Sequence, residues 1–212
     1  MGTPISSLMA WMDLLESSGV DSSLLSDMNK DVNRLSVIAE RFSKIGSKPE
    51  MELIYVNEVL ENATEYMRRR VSDKVLITTH LPSDAEGAMV CLSLFEWVIE
   101  NLCKNAVDAM NGEGRIDVYM TSEKQQIYID IKDTGKGIAR KNFKTVFNPG
   151  YTTKKRGWGL GLTLAKRIIE DYHAGRIYVK DSEVGKGTTF RIELKLSLIH
   201  ISEPTRRVVI SY

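Results

Sequence analysis

Four short segments rich in asparagine or glycine stand in a fixed order along this chain, each with a plausible helix, strand or loop beneath it. They are Asn101-Leu-Cys-Lys-Asn105-Ala-Val-Asp108, Asp133-Thr-Gly135-Lys-Gly137-Ile138, Gly157-Trp-Gly159-Leu160-Gly161-Leu162 and Gly185-Lys-Gly187-Thr188-Thr189-Phe190. One glycine-rich hexapeptide carries little information, because such strings occur by chance. The ordered set is a strong constraint and reads as a single site.

Ahead of these segments the chain follows another rule. Leu25, Met28, Val32, Leu35, Ala39 and Phe42 alternate steps of three and four, the seam of a helix that packs in a bundle. Asp21 or Ser22 is a suitable N-cap, and Gly46-Ser47-Lys48-Pro49 a stop. Ile5, Leu8, Met12 and Leu15 repeat the stepping, with Ser17-Ser18-Gly19 as a break, so residues 1–47 are expected to form a helical hairpin. Two short helices cannot bury both stripes on each other. Pairing with a second copy into a four-helix bundle is therefore expected over packing back on the chain's own globular domain.

Beyond the linker the pattern becomes mixed α/β. Predicted strands are Glu52 to Val56, Lys74 to His80, Arg115 to Thr121, Gln126 to Lys132, Arg176 to Lys180 and Thr188 to Leu196. Predicted helices are Asn57 to Val71, capped by Asn57, then Leu92 to Met110, closed by Asn111-Gly112, and Leu160 to Tyr172. The middle hairpin is expected to turn at Ser122-Glu123-Lys124. Residues 139–157 show little beyond a turn at Asn142 to Phe147, and so long a loop in a compact domain is usually functional. A sheet on one side and helices on the other make a two-layer α/β sandwich over residues 48–196. The remainder, 197–212, contains Glu203-Pro204-Thr205-Arg206-Arg207 and suits neither sheet nor capped helix. A tail foreign to the domain is expected there, over a native interaction strand.

Charge and composition exclude several functions. A net charge of +1 gives no field for nucleic acid or an anionic membrane. Arg68-Arg69-Arg70 reads as a solvated helix end. No apolar run approaches the ~20 residues that span a bilayer, so a soluble, cytoplasmic fragment without membrane contact is expected. Cys91 and Cys103 lie among apolar residues, as buried thiols do, and His80, His173 and His200 lack metal-ligand spacing.

The segments carry recognisable chemistry. Asn101, Asn105 and Asp108 share one helix face, and the amide oxygen of Asn105 is a suitable ligand for Mg²⁺, which takes oxygens and keeps waters and phosphates in its shell. Asp133 ends an alternating strand, with Gly135 and Gly137 leaving room for a flat ring. An ionised carboxylate only accepts hydrogen bonds, which suits the exocyclic amine of adenine over the carbonyl of guanine. Gly157, Gly159 and Gly161 open a helix, where backbone N–H groups and the dipole favour phosphate. No Gly-Lys-Ser/Thr ending or preceding strand makes this a Walker or dinucleotide-binding loop. Phe147-Asn-Pro149-Gly-Tyr151-Thr152-Thr153-Lys154 offers hydroxyls and a cation in a segment suited to close over a nucleotide. Thr188 is either a phosphate donor or a hairpin cap.

These segments resemble the catalytic and ATP-binding domain of sensor histidine kinases, within the Bergerat-fold ATPases and kinases. Asn101 to Asp108 resembles the asparagine box, Asp133 to Ile138 the first glycine box, Phe147 to Lys154 the phenylalanine box, and Gly157 to Leu162, with Leu160, the second glycine box. The hairpin resembles the dimerisation and phosphoacceptor domain, and Thr3-Pro4-Ile5 the end of its His-Glu-x-x-Thr-Pro box. The acceptor histidine of that box would fall before Met1. Hydrolysing relatives resemble Glu-x-x-x-Asn, with the glutamate activating water. Here Asn101 holds that place, and Glu100 is rotated from it by ~100°.

The resemblance implies ATP and Mg²⁺ as cofactors, a homodimer through the hairpin, and transfer of the γ-phosphoryl group to histidine and then to a response-regulator receiver domain. An ATP hydrolase, or a nucleotide-binding dimerisation module without transfer, are the alternatives.

Overall fold

A computed structural model describes residues 4–18, positions 25, 28, 29 and 32, and then 50–84, 86–154 and 159–197. The chain divides into two compact units, Met1–Pro49 and Glu50–Tyr212.

In the first unit, α1 spans Pro4–Ser17. Its last turn is closed by serine: Ser17 Oγ and Ser18 Oγ donate to the Leu14 carbonyl at 2.7 and 2.8 Å. Met12 is buried, whereas Leu8, Met9, Trp11 and Leu14 are exposed. Of the expected second helix, positions 25, 28, 29 and 32 are helical and Leu25 and Val32 are buried. Its cap and its Gly46 to Pro49 stop lie outside the described residues.

The second unit is built on a five-stranded sheet in the order β2-β4-β5-β7-β6. Its strands are β2 (Val75–His80), β4 (Gly114–Glu123), β5 (Gln126–Asp133), β6 (Arg176–Glu183) and β7 (Gly187–Lys195). β2 runs parallel to β4, and the other neighbours are antiparallel. A separate antiparallel pair joins β1 (Glu52–Tyr55) to β3 (Gly87–Val90). The helices are α2 (Val56–Arg68), α3 (Leu92–Ala109) and α4 (Gly161–Arg167), and α4 continues into a π turn at Ile168–Tyr172.

The period of two along each strand aligns the core in rows across the sheet. Met120, Ile129, Ile192 and Ile177 make one row, and Val118, Ile131, Phe190 and Val179 the next. All eight are buried, with α3 contributing Phe95, Val98, Ile99, Leu102 and Cys103 to the core. At roughly 1.5–3 kcal/mol for each large apolar side chain fully buried, these layers supply the main driving force. One more step, of two along β4, β5 and β7 and of three along β6 where its register shifts, gives Ile116, Asp133, Thr188 and Ser182. The apolar floor thus ends in a polar edge.

Several expectations are corrected. Asn57 does not cap α2: Tyr55 is the N-cap residue without a side-chain bond, the helix starts at Val56, and Asn57 Oδ1 is buried without a partner among the described residues. The β4–β5 turn sits at Lys124-Gln125, both with positive φ (50° and 69°), between the paired residues Glu123 and Gln126. That is the twist of a two-residue type I′ hairpin. β6 runs on to Glu183 through a register shift between Val179 and Asp181, and β3 was unforeseen. The helix expected over Leu160 to Tyr172 loses α geometry at Ile168.

Arg68, Arg69 and Arg70 are engaged locally, as at a solvated helix end. Arg68 reaches Glu61, Glu65 and the Ile77 carbonyl, Arg69 reaches Glu65, and Arg70 lies over the Tyr66 ring. Among the described residues no helix is long and apolar enough to cross a membrane.

Candidate functional site

Asp133 is the last inward residue of β5, and that position decides its chemistry. The residue is 3% exposed, and its Oδ1 accepts the Gly135 N–H at 2.7 Å. Burial pushes its carboxyl above the usual carboxylate range, opposed by the backbone N–H groups of Gly135 and Thr188. A buried acceptor with so few donors is suited to a ligand that brings another.

The loop after Asp133 is fixed from four sides. The Thr134 N–H donates to the Arg115 carbonyl and its hydroxyl accepts the Arg115 N–H, at 3.2 and 3.0 Å. The Lys136 N–H donates to the last carbonyl of α3, at Ala109, and the Gly185 N–H donates to Lys136 O. The Ile138 N–H donates to Ser182 Oγ at 2.7 Å. Gly135 lies against Ala109, where a Cβ would come within 2.7 Å of backbone carbon. Gly137, at φ +70°, lies against the Glu183 carbonyl in a conformation open to glycine at little cost. Both glycines therefore serve close backbone approach.

Along α3, Asn101, Asn105 and Asp108 follow one flank, beside the buried stripe of Leu102, Cys103 and Ala106. Asn101 packs against Gly161 at the start of α4, where a Cβ would meet Asn101 Oδ1 at 2.5 Å. Its Nδ2 is buried and has no hydrogen-bond partner among the described residues. Asn105 Oδ1 accepts from Lys154 Nζ at 2.9 Å, and Asp108 Oδ2 is 2.5 Å from the same ammonium. Beyond burial, the charge of Glu100 raises the pKa of Glu96 and of Cys103, one turn to either side. The Cys103 thiol is pushed up to about 12, mainly by burial, and is chemically inert.

The segment between β5 and α4 is anchored before it becomes exposed. Phe147 is buried, meets Phe190 edge to face with centroids 6.2 Å apart, and its carbonyl accepts from Thr163 Oγ1 at 2.9 Å. The Gly150 N–H donates to the Gly159 carbonyl at 3.2 Å, which pinches the base of a loop holding Tyr151, Thr152, Thr153 and Lys154. Thr152, Thr153 and Lys154 are exposed, and Lys136 Nζ donates to Thr153 Oγ1 at 2.8 Å. Leu160 precedes α4, its carbonyl accepts the Leu164 N–H, and Leu162 follows on the first turn. Gly157 lies outside the described residues.

Thr188 is buried beside Asp133, with its hydroxyl 3.0 Å from Ser182 Oγ, while Ser182 Oγ donates to the Gly187 carbonyl at 2.8 Å. Its side chain is thereby engaged in closing the β6–β7 hairpin. The structure thus brings Asp133, Gly135, Gly137 and Thr188 to one end of the sheet and Asn101 against Gly161, with Asn105, Asp108 and Lys154 joined at the flank of α3. Thr134, Lys136, Thr163 and Ser182 were not anticipated. Thr134 stands inside a recognised segment, but nothing in the sequence around Ser182 marks it.

Residues 92–198 match the family model described as histidine kinase-, DNA gyrase B-, and HSP90-like ATPase. Sporulation kinase A of Bacillus subtilis is 42% identical over 95 residues, covering 45% of this chain and 15% of that protein. Sporulation kinase E of the same organism is 30% identical over 198 residues, covering 90% of this chain and 26% of its own length. The chain thus spans about a quarter or less of these relatives. Among solved structures, the catalytic domain of histidine kinase ThkA aligns with a TM-score of 0.63 at 22% identity, over 69% of this chain and 95% of that one. ThkA in complex with response regulator protein TrrA aligns with a TM-score of 0.67 at 19% identity, over 92% of this chain and 58% of that one. These likenesses show the fold. With the ordered segments, the buried carboxylate at the sheet end and a family match across half the chain, the protein belongs to the histidine kinase-, DNA gyrase B-, and HSP90-like ATPase family and carries the ATP-binding catalytic domain of the sensor histidine kinase type.

Proposed function

We propose that this chain is the ATP-binding core of a two-component histidine kinase, which delivers the γ-phosphoryl group of ATP to a histidine and from there to a response-regulator aspartate. The observation that carries the reading is the pairing of Asp133, buried and short of donors, with an amide face on α3 that presents Asn101 where hydrolysing relatives carry glutamate. Asp133 would accept the exocyclic amine of adenine. Gly135 and Gly137 do not leave room for a ring as expected but hold the loop beside Asp133 against Ala109 and Glu183, and Thr188 steadies Asp133 through its backbone N–H. Asn101, Gly159 and Gly161 line the approach to the phosphates, with Tyr151, Thr152, Thr153 and Lys154 on the closing segment. With no base at position 101 and Glu100 rotated from that place by ~100° around the helix, the site positions phosphate without activating water, which favours transfer over hydrolysis.

The residues present fit Mg²⁺. Asn105 Oδ1 is a hard neutral oxygen on which a cationic group, the Lys154 ammonium, already sits. When bound, Mg²⁺ would supply neutralisation of phosphate charge, and Asn105 would hold it. The exposed apolar face of α1 supports a homodimer through the Met1–Pro49 unit. That unit would supply the docking face for a receiver domain, a partner suggested by analogy with ThkA, solved in complex with response regulator protein TrrA.

Calorimetric titration with ADP and Mg²⁺ tests the site. Asn105→Ala and Asp133→Asn should each weaken binding at least about tenfold, roughly 1.4 kcal/mol. Affinity indifferent to both overturns the assignment. A version carrying a complete His-Glu-x-x-Thr-Pro box should gain acid-labile phosphate from ATP, whereas steady phosphate release without it would favour the hydrolase.

A further inference from the structure

Two lysine side chains tie adjacent residues of the exposed segment, Thr153 and Lys154, to the loop after β5 and to α3. Lys136, in the loop after β5, donates to Thr153 Oγ1 at 2.8 Å. Lys154 reaches back to α3, where Asn105 Oδ1 and Asp108 Oδ2 receive its ammonium at 2.9 and 2.5 Å. Those oxygens lie three residues apart, about one helical turn, so a single small cation can touch both. The side chains of Lys154 and Asp108 are 38% and 41% exposed, and a pair this wet is readily exchanged. An ammonium seated on one amide oxygen and one carboxylate oxygen marks a place built for positive charge. It is also the place where the ATP-site reading puts the divalent ion.

Resting on that reading, we infer that Asp108 and Asn105 form one oxygen pair for the divalent cation, and that Lys154 fills it until the cation arrives. The exchange keeps Asp108 neutralised at every stage. It also releases a lysine beside the incoming phosphates, so the charge that leaves the cation site becomes available to the nucleotide. Asp108 is then a metal-binding residue in its own right, and Lys154 a positioning residue whose two stations are the oxygen pair and the phosphate.

ADP affinity measured across a Mg²⁺ series, together with hydrogen exchange of the amides over 151–154, separates the possibilities. Without nucleotide, Lys154→Met and Asp108→Asn should both speed exchange of 151–154 by about two- to fivefold, the range an exposed ion pair supplies. Lys154→Met should lower the Mg²⁺ concentration needed to tighten ADP binding by a similar factor, because the competitor is gone. Asp108→Asn should raise it, because an oxygen of lower charge remains.

If both variants shift the Mg²⁺ requirement the same way, Asp108 is only a lysine partner and the inference fails. If neither variant alters exchange or the Mg²⁺ series, the contact is an idle surface pair and the inference fails equally. ADP binding in excess chelator reports the nucleotide site without the cation. Absence of ADP binding by the unaltered protein both in chelator and in saturating Mg²⁺ would refute the ATP site itself, and binding with a Mg²⁺ series unshifted in both variants would refute the exchange alone.

Discussion

At the scale of single residues, the site is made by side chains placed one step beyond a core. Asp133 follows Ile127, Ile129 and Ile131 on the same face of β5, and it is buried for the reason they are. Its raised folded pKa means that the folded state holds the proton longer than the unfolded chain does. Stability from this group is therefore present at low pH and is lost as pH rises from about 3.8 through the folded value. Asp133→Asn should accordingly unfold in urea at an equal or higher midpoint than the parent at neutral pH, while ADP binding falls. A variant that loses stability and binding together would make Asp133 a structural residue only. Gly161 poses a steric question instead. An added methyl would meet the Asn101 amide, so Gly161→Ala should cost about 1–3 kcal/mol by overpacking and weaken ADP binding roughly tenfold. Gly112→Ala is the control: at φ +80° with nothing within 4 Å, it should cost about 1–2 kcal/mol of backbone strain and leave ADP affinity unchanged.

At the scale of elements, legibility followed periodicity. β5 alternates over its full length and α3 carries an unbroken apolar stripe, so both could be read to within a residue or two. β3 could not: Gly87-Ala-Met-Val offers four residues, no polar alternation and a partner strand more than thirty positions upstream. The Lys124-Gln125 turn was misplaced because neither residue advertises positive φ. The carboxylate at the sheet end and the asparagine face were legible because each needs only one element. Ser182 and Thr134 act across strands that only the register brings together.

The π turn hides a contact of the same kind. His173 Nδ1 is 2.8 Å from the Ile168 carbonyl, and Nε2 accepts the Cys91 N–H at 3.0 Å, at the N-cap of α3. These partners fix a neutral ring, and burial lowers its pKa below 6.5. The unfolded chain then takes up the proton first, so this stability is complete above about pH 6.5 and declines as pH falls. The urea midpoint of the parent should drop between about pH 7 and 5, and His173→Gln should flatten that slope. An identical slope in the variant would place the titration elsewhere.

At the scale of the whole molecule, every residue assigned to nucleotide, from Asn101 to Thr188, belongs to the unit that begins at Glu50. That unit carries its own five-stranded floor and its own helical layer, and the polar row ending at Ser182 is complete within it. A piece of about 150 residues buries roughly 68–70% of the surface its unfolded chain exposes, which is enough to fold unaided. Residues 50–197 alone should therefore unfold in one cooperative transition and bind ADP with the affinity of the entire chain, to within about twofold. Nucleotide at a hundred times its dissociation constant should stabilise that piece by about 2.7 kcal/mol, the amount set by mass action for a ligand that binds only the folded form. Calorimetric titration and urea unfolding of the fragment check both statements. Binding that disappears with the first 49 residues would mean that the Met1–Pro49 unit contributes to the nucleotide site. Binding that survives assigns the nucleotide site to the sandwich alone.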